Sequence, residues 1–193
     1  MSENEEGKAH LRVIAGGRDR HIDVGRLRVV AGPVGRPPFA VGGIICEEDT
    51  FLVMSADGEV REPDGDLVRI VAGAYSTLPH QPGSVVVQEG KPVRLLAVVH
   101  DLNLEPSCRK EWVLAACRNS LLLADRRKLH HIAMPLLGSV HGVLDWETAI
   151  DLLADVLAEL HVEYLQRLWL LVPETDRLTV LDRLEEVLAR ARH

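Results

Sequence analysis

The sequence predicts an α/β fold, namely a three-layer α/β/α sandwich with a mixed, mainly parallel central sheet. Strand and helix patterns alternate from residue 94 to residue 191, as they do in βαβ units. The predicted strands are continuously apolar rather than alternating, which indicates that both faces of the sheet are covered. The chain of 193 residues is long enough for one domain with a full core, which we place at 10–193 after an acidic tail at 1–9.

The first half of the chain contains short apolar runs that glycine and proline separate. Three of these runs are typical of strands: 10–14, 27–31 and 41–46. The proline-rich stretch at 32–38 is typical of a loop, because proline removes the N–H donors that a sheet needs. Between 47 and 83 the pattern is weaker, so only short strands at 51–54 and 67–72 are expected, and no helix is assigned.

The second half has a clearer pattern, in which strands and helices follow each other closely. Valine-rich runs at 84–88 and 94–99 predict a strand pair. Ser107 is a candidate N-cap for a helix that ends near Ala124, and Asp145 is the candidate N-cap of the next helix. The remaining expected elements are a buried strand at 131–136, a strand at 167–172 and a last helix with an apolar stripe at 181–191.

Charge and composition exclude several classes of partner. The formal net charge is -7 and no basic tract stands out, so a nucleic-acid duplex is not expected as a partner. No apolar run reaches the roughly 18 residues of a membrane span, and no secretory signal is expected at the start. Three cysteines (Cys46, Cys108 and Cys117) do not describe a disulfide framework, so we expect a cytoplasmic protein.

The candidate ligand site is the segment Gly138-Ser139-Val140-His141-Gly142. It follows a predicted strand and precedes the helix that Asp145 caps, and ligands of α/β sheets bind at the carboxyl ends of strands. Its two glycines permit a tight bend, and its neighbouring N–H groups can form a concave anion site. A plain strand-to-helix connection has the same pattern. The ligand hypothesis therefore depends on N–H groups that are not already bonded within the protein.

The run 131–149 resembles the second ligand loop of macrodomains, in which a proline-bearing turn leads into a phosphate loop bounded by glycines. The order of elements over 84–160 is similar as well, and 93–101 resembles the family's strand that carries a histidine near its end. The resemblance implies that Gly138–Gly142 binds ADP-ribose or a related nucleotide, with no further cofactor. Three residues at the position of the family's first loop are expected on the opposite wall: Cys46, Glu47 and Asp49.

The sequence also departs from the macrodomain pattern, so three functions stay open. Gly32-Pro33-Val34 stands where the family has an adenine-reading aspartate, and the first-loop asparagines and glycine run are missing. The first hypothesis is a ligand-binding protein without catalysis. The second is an ADP-ribosyl hydrolase, in which Asp49 or Asp57 is the base and His141 positions water. The third is an interaction or assembly module that has lost the pocket, and the sequence leaves the oligomeric state open.

Other polar groups have simpler interpretations. The acidic triplet Glu47-Glu48-Asp49 could bind a divalent cation, but a solvated acidic turn is favoured. His100 and Asp101 are neighbours on a strand and should point to opposite faces. His130-His131 lacks the spacing of zinc ligands, so no metal site is predicted.

Overall fold

The structure is a computed structural model that describes residues 20–54, 78–141 and 143–191. Several sequence-based expectations fall outside these ranges: the tail at 1–9, the strands at 10–14 and 67–72, Asp57 and Gly142.

A seven-stranded sheet forms the centre of the described part of the chain, with the strand order β1-β2-β7-β6-β3-β5-β4. Its strands are β1 (Ile22–Val24), β2 (Leu27–Gly32), β3 (Gly43–Asp49), β4 (Val85–Gln88), β5 (Val93–His100), β6 (His131–Pro135) and β7 (Arg167–Leu171). The five inner strands are parallel, whereas β1 and β4 pair antiparallel at the two edges. The predicted mixed, mainly parallel sheet is confirmed.

Three helices follow β5, β6 and β7: α1 (Lys110–Arg126), α2 (Trp146–Glu159) and α3 (Arg177–Arg190). Asp145 caps α2 as predicted, because its carboxylate accepts the N–H of Thr148 at 2.6 Å. Ser107 does not cap α1, which begins only after Arg109. The backbone carbonyl of Ser107 accepts the N–H of Asp101, which holds this segment extended and delays the helix.

The strand predicted at 41–46 begins at Gly43 and continues through the acidic triplet to Asp49. The predicted strand at 51–54 is wrong, because this segment is a turn. The carboxylate of Asp49 accepts the N–H groups of Phe51 and Val53 at 2.6 and 3.0 Å, and this turn bends the chain away from the sheet.

One hydrophobic core fixes the ends of the parallel strands. Leu95 on β5, Ile132 on β6 and Leu168 on β7 are fully buried in one cluster with the apolar stripes of the helices. Burying an aliphatic side chain of this size contributes roughly 1.5–3 kcal/mol, so the strand ends are held in register by many such contacts. No helix in the described ranges combines the length and the apolar character needed to cross a membrane.

Candidate functional site

The carboxyl ends of four parallel strands meet at one edge of the sheet, which we call the crest. The acidic triplet ends β3, His100 ends β5, and the glycine loop at 138–141 follows β6. The turn at 172–176 between β7 and α3 completes this edge. Because ligands of α/β sheets bind at this edge, the polar groups gathered here define the candidate site.

A buried carboxylate ties three of these strand ends together. Glu47 Oε1 lies 2.6 Å from His100 Nε2, and Glu47 Oε2 accepts the N–H of Gly138 at 2.7 Å. Glu47 is only 5% exposed, so neither bond competes with bulk water. Glu47 was expected to line a wall opposite the loop. It holds the loop from beneath instead, and both of its oxygens are occupied.

The other two acids of the triplet are also buried, which contradicts the expectation of a solvated turn. Glu48 and Asp49 are both 0% exposed. Glu48 Oε2 accepts the N–H of Met54 at 3.1 Å, and the Asp49 carboxylate accepts three N–H groups from the following turn. The Asp49 carboxylate is fully buried and already accepts N–H groups from the following turn, so it is poorly placed to act as a general base. It is a structural residue rather than a wall of the ligand site.

The described part of the chain holds no group of three or more histidine, cysteine or acidic side chains arranged to bind a metal ion. The carboxylates of the triplet are instead used by backbone N–H groups and by His100.

The backbone conformation at position 138 and the space around it both require glycine. Its φ of +85° lies in the left-handed region, and a Cβ there would lie 2.8 Å from Leu144 Cδ1 and 2.9 Å from Val113 Cγ2. Ser139 donates its N–H to the carbonyl of Leu136 at 3.1 Å, and its hydroxyl donates to the same carbonyl at 2.8 Å. The first turn of the loop is therefore closed by bonds within the protein.

This geometry corrects the anion site expected from the sequence. The N–H groups of Gly138 and Ser139 donate to Glu47 and Leu136, so they do not face a ligand. Within the described ranges, the N–H groups of Val140 and His141 make no hydrogen bond. Only this later part of the loop can offer backbone donors to an anion.

His141 lies beside the buried histidine of β5. The two imidazole centroids are 5.6 Å apart at an interplanar angle of 81°, an edge-to-face arrangement. His100 Nδ1 is buried and has no hydrogen-bond partner among the residues that the structure describes. The sequence placed His100 beside Asp101, but the carboxylate that contacts it is Glu47, which lies on the neighbouring strand.

The cysteines add no reactive group to the site. Burial, assisted by the charge of Glu47, raises the pKa of Cys108 to about 12. Burial also raises the pKa of Cys117 to about 12. Cys46 precedes Glu47 on β3, and since successive side chains alternate, it lies on the opposite face of the sheet from Glu47. The structure therefore separates Cys46 from the glycine loop.

An open cavity of about 340 Å³ lies at the crest beside the glycine loop, and we call it the crest cavity. It is lined by Pro135, Leu136, Ser139, Val140, Trp146, Leu171, Val172, Pro173, Asp176, Thr179 and Val180. The loop forms one side, the start of α2 contributes Trp146, and the first turn of α3 closes the other side. Its walls are mostly apolar, as is usual for small-molecule sites, with a few polar groups among them.

Sequence reasoning missed the residues that β7 and α3 contribute to this cavity. Asp176 and Thr179 line it at the start of α3, and the Asp176 side chain does not cap the helix. The available signal was the polar run 174–176, which closely follows a predicted strand, because that position is also a carboxyl end.

Solved structures with the same architecture are macrodomains. A mutant of the Oceanobacillus iheyensis macrodomain matches with a TM-score of 0.62 and 19% identity, over 89% of this chain and 98% of that one. The Thermus aquaticus DarG macrodomain matches with a TM-score of 0.53 and 22% identity, over 76% of this chain and 98% of that one. The chain has the macrodomain fold. No protein-family model and no curated protein matches the sequence.

The macro domain of ganglioside induced differentiation associated protein 2 extends this likeness, with a TM-score of 0.56 and 12% identity over 85% of this chain. The sequence resemblance to macrodomains is thus confirmed at the level of the fold. Within this macrodomain fold, the glycine loop joins β6 to α2 and the crest cavity lies beside it.

Proposed function

We propose that this protein binds ADP-ribose or a related nucleotide in the crest cavity, with the glycine loop beside its phosphates. The observation that carries the proposal is the crest cavity itself, a mostly apolar concavity at the carboxyl ends of β6 and β7. Structural neighbours support the choice of ligand. Another mutant of the Oceanobacillus iheyensis macrodomain was solved with ADPR, and the Trypanosoma brucei macrodomain was solved in complex with ADP.

The phosphates are proposed to lie where backbone donors converge. The N–H groups of Val140 and His141 make no other hydrogen bond among the described residues, so they are available to phosphate oxygens. These donors need no basic side chain, which is consistent with a chain of net charge -7.

The base is proposed to lie against the apolar walls. Trp146 offers an aromatic surface that is 37% exposed, and Val172 and Pro173 provide further apolar contact. Asp176 lies on the same cavity and can accept a hydrogen bond from an amino or hydroxyl group. It would thereby replace the adenine-reading aspartate of the family, whose position holds Pro33 here.

Binding without hydrolysis is the form of the proposal that this site supports best. The hydrolase hypothesis assigned the base to Asp49 or Asp57. Asp49 is fully buried and saturated with N–H donors, and Asp57 lies outside the described residues. Of the residues named by the hydrolase hypothesis, His141 is then the remaining described candidate for acid–base chemistry. Among the described residues, its ring contacts the imidazole of His100 and not a carboxylate that would orient it.

Isothermal titration with ADP-ribose and with ADP tests the proposal. We expect saturable binding by the wild type, weakened roughly 5-fold or more in Trp146→Ala, because stacking of a base on an aromatic side chain contributes about 1–3 kcal/mol. Trp112→Ala is the matched control, since Trp112 lies on α1 and does not line the cavity. The absence of binding by folded wild-type protein at high micromolar ligand would overturn the proposal and favour the assembly-module hypothesis.

A further inference from the structure

A second cleft, of about 660 Å³, lies at the β1–β2–β7 end of the sheet. Five arginines and one carboxylate line it: Arg20, Arg28, Arg36, Arg167, Arg177 and Glu174. We call it the arginine cleft. Such an excess of positive charge is unexpected in a protein whose net charge is -7. The sequence shows no basic run at this place, because Arg20, Arg28 and Arg36 are spaced along one segment and Arg167 and Arg177 come from a distant one.

The sheet itself brings two of these arginines together. Arg28 on β2 and Arg167 on β7 are direct partners in the parallel register, so their side chains project from the same face. An anion bound beside both side chains would compensate their positive charges.

Part of the charge is neutralised within the protein. Arg28 Nε donates to Asp23 Oδ1 at 3.1 Å, and Arg20 is paired with Asp182 and Glu185. These ion pairs fix two arginines at the rim of the cleft. They do not account for the positive charges of Arg36 and Arg167.

Arg36 and Arg167 have no carboxylate partner in the described ranges. The Arg167 guanidinium stacks over the Phe39 ring, 5.5 Å from its centroid, which restricts its orientation without satisfying its N–H donors. Arg36 is exposed at the cleft and makes neither an ion pair nor a side-chain hydrogen bond with a described residue. Two planar guanidinium groups are thus available to an anion.

We propose that the arginine cleft is a second ligand site, which binds a small molecule carrying two or more phosphate groups. The guanidinium fork matches phosphate oxygens in a bidentate arrangement, and several arginines around one cleft favour a ligand with several such groups. A volume of about 660 Å³ suits a small molecule. A long polyanion would extend beyond the cleft, and the overall charge of -7 would repel the part outside it. This site shares no lining residue with the crest cavity.

The test is titration of the intact protein at low ionic strength with inorganic tripolyphosphate, ATP and orthophosphate. We expect tripolyphosphate and ATP to bind at least about 10-fold more tightly than orthophosphate, because they offer several phosphate groups to the arginines of the cleft. Arg36→Glu and Arg167→Glu should each weaken tripolyphosphate about 10-fold or more, since each removes a charge-assisted contact and adds repulsion. Arg126→Glu is the matched control, because it changes the net charge equally on α1 and should leave binding unchanged.

Two outcomes would overturn the proposal. The first outcome is nonspecific charge attraction. It would be indicated if tripolyphosphate bound no more tightly than orthophosphate, or if Arg126→Glu weakened tripolyphosphate binding as much as Arg36→Glu. The second outcome is displacement of tripolyphosphate by a single-stranded oligonucleotide that binds more tightly than tripolyphosphate does. The partner would then be a nucleic acid. Arg36→Glu should weaken tripolyphosphate binding but leave ADP-ribose binding intact, because Arg36 lines the arginine cleft and not the crest cavity, so the two sites are tested separately. Circular dichroism and thermal melting confirm that each variant is folded.

Discussion

Replacing Glu47 by alanine should destabilise the protein strongly, although the change lies at the candidate site rather than in the apolar core. The Glu47 side chain is 2% exposed, and its oxygens contact His100 Nε2 at 2.6 Å and Gly138 N at 2.7 Å. Alanine leaves both groups buried without a partner, at a cost of about 1–3 kcal/mol each. We therefore expect the free energy of unfolding to fall by about 2–6 kcal/mol, out of the roughly 5–15 kcal/mol of an ordinary domain.

Glu47→Gln should give a smaller loss, because glutamine keeps the shape and one acceptor oxygen for the Gly138 N–H. Its NH₂ group, however, faces His100 Nε2. The other ring nitrogen, His100 Nδ1, is buried without a partner, so a proton on Nε2 that is donated to the carboxylate is the least costly arrangement. Glutamine then places a donor against a donor and loses one bond, which costs about 1–3 kcal/mol.

Urea denaturation followed by circular dichroism and tryptophan fluorescence measures these changes. Glu89→Ala is the control, because the Glu89 side chain is 71% exposed and pairs with Arg127 at the surface. Removing an exposed ion pair costs at most about 1 kcal/mol. If Glu47→Ala proves no more destabilising than Glu89→Ala, the buried carboxylate does not hold the three strand ends together and the reasoning fails.

Three further predictions concern the glycine loop, the β7 connection and the thiols. Gly138→Ala should cost about 2–4 kcal/mol in a denaturant melt, because it adds left-handed strain and a contact with a neighbouring leucine, whereas Gly35→Ala meets no atom within 4 Å and should be neutral. Burial alone would raise the pKa of Asp125, but three backbone N–H groups lower it, so its contribution to stability is present above about pH 4 and lost as the pH falls below that. The destabilisation measured for Asp125→Asn should therefore shrink between neutral pH and about pH 3. Cys108, with a pKa of about 12, should resist iodoacetamide at pH 8 until the protein is unfolded, as peptide mass spectrometry would show.

The sequence predicted well where structure depends on neighbouring residues. The strand at 131–136, the glycine turn and the Asp145 cap follow each other within a few residues, and each is found at or within one residue of its expected place. Apolar runs, a residue that permits positive φ and a side-chain cap are local signals, so no knowledge of distant contacts is required.

Prediction failed where a distant partner decides the outcome. Glu47 belongs to an acidic triplet that is typical of a solvated turn, yet its partners lie 53 residues away at His100 and 91 residues away at Gly138. Ser107 has the right chemistry for an N-cap, but its carbonyl is engaged by Asp101 instead. The arginine cleft was missed for the same reason, since Arg167 and Arg177 reach it from a part of the chain that is distant from Arg28 and Arg36.

The buried acids also change the electrostatic argument about the ligand. Carboxylates beside a diphosphate repel it, so an exposed acidic triplet at the end of β3 would oppose nucleotide binding. In the structure, the Asp49 and Glu47 carboxylates are turned inward and accept N–H groups, and Glu47 also contacts His100. These bonds compensate charge that would otherwise face the crest. The repulsion is correspondingly weaker, and the proposed ligand would be recognised toward the end of β7, where Asp176 and the first turn of α3 face the glycine loop across the crest cavity.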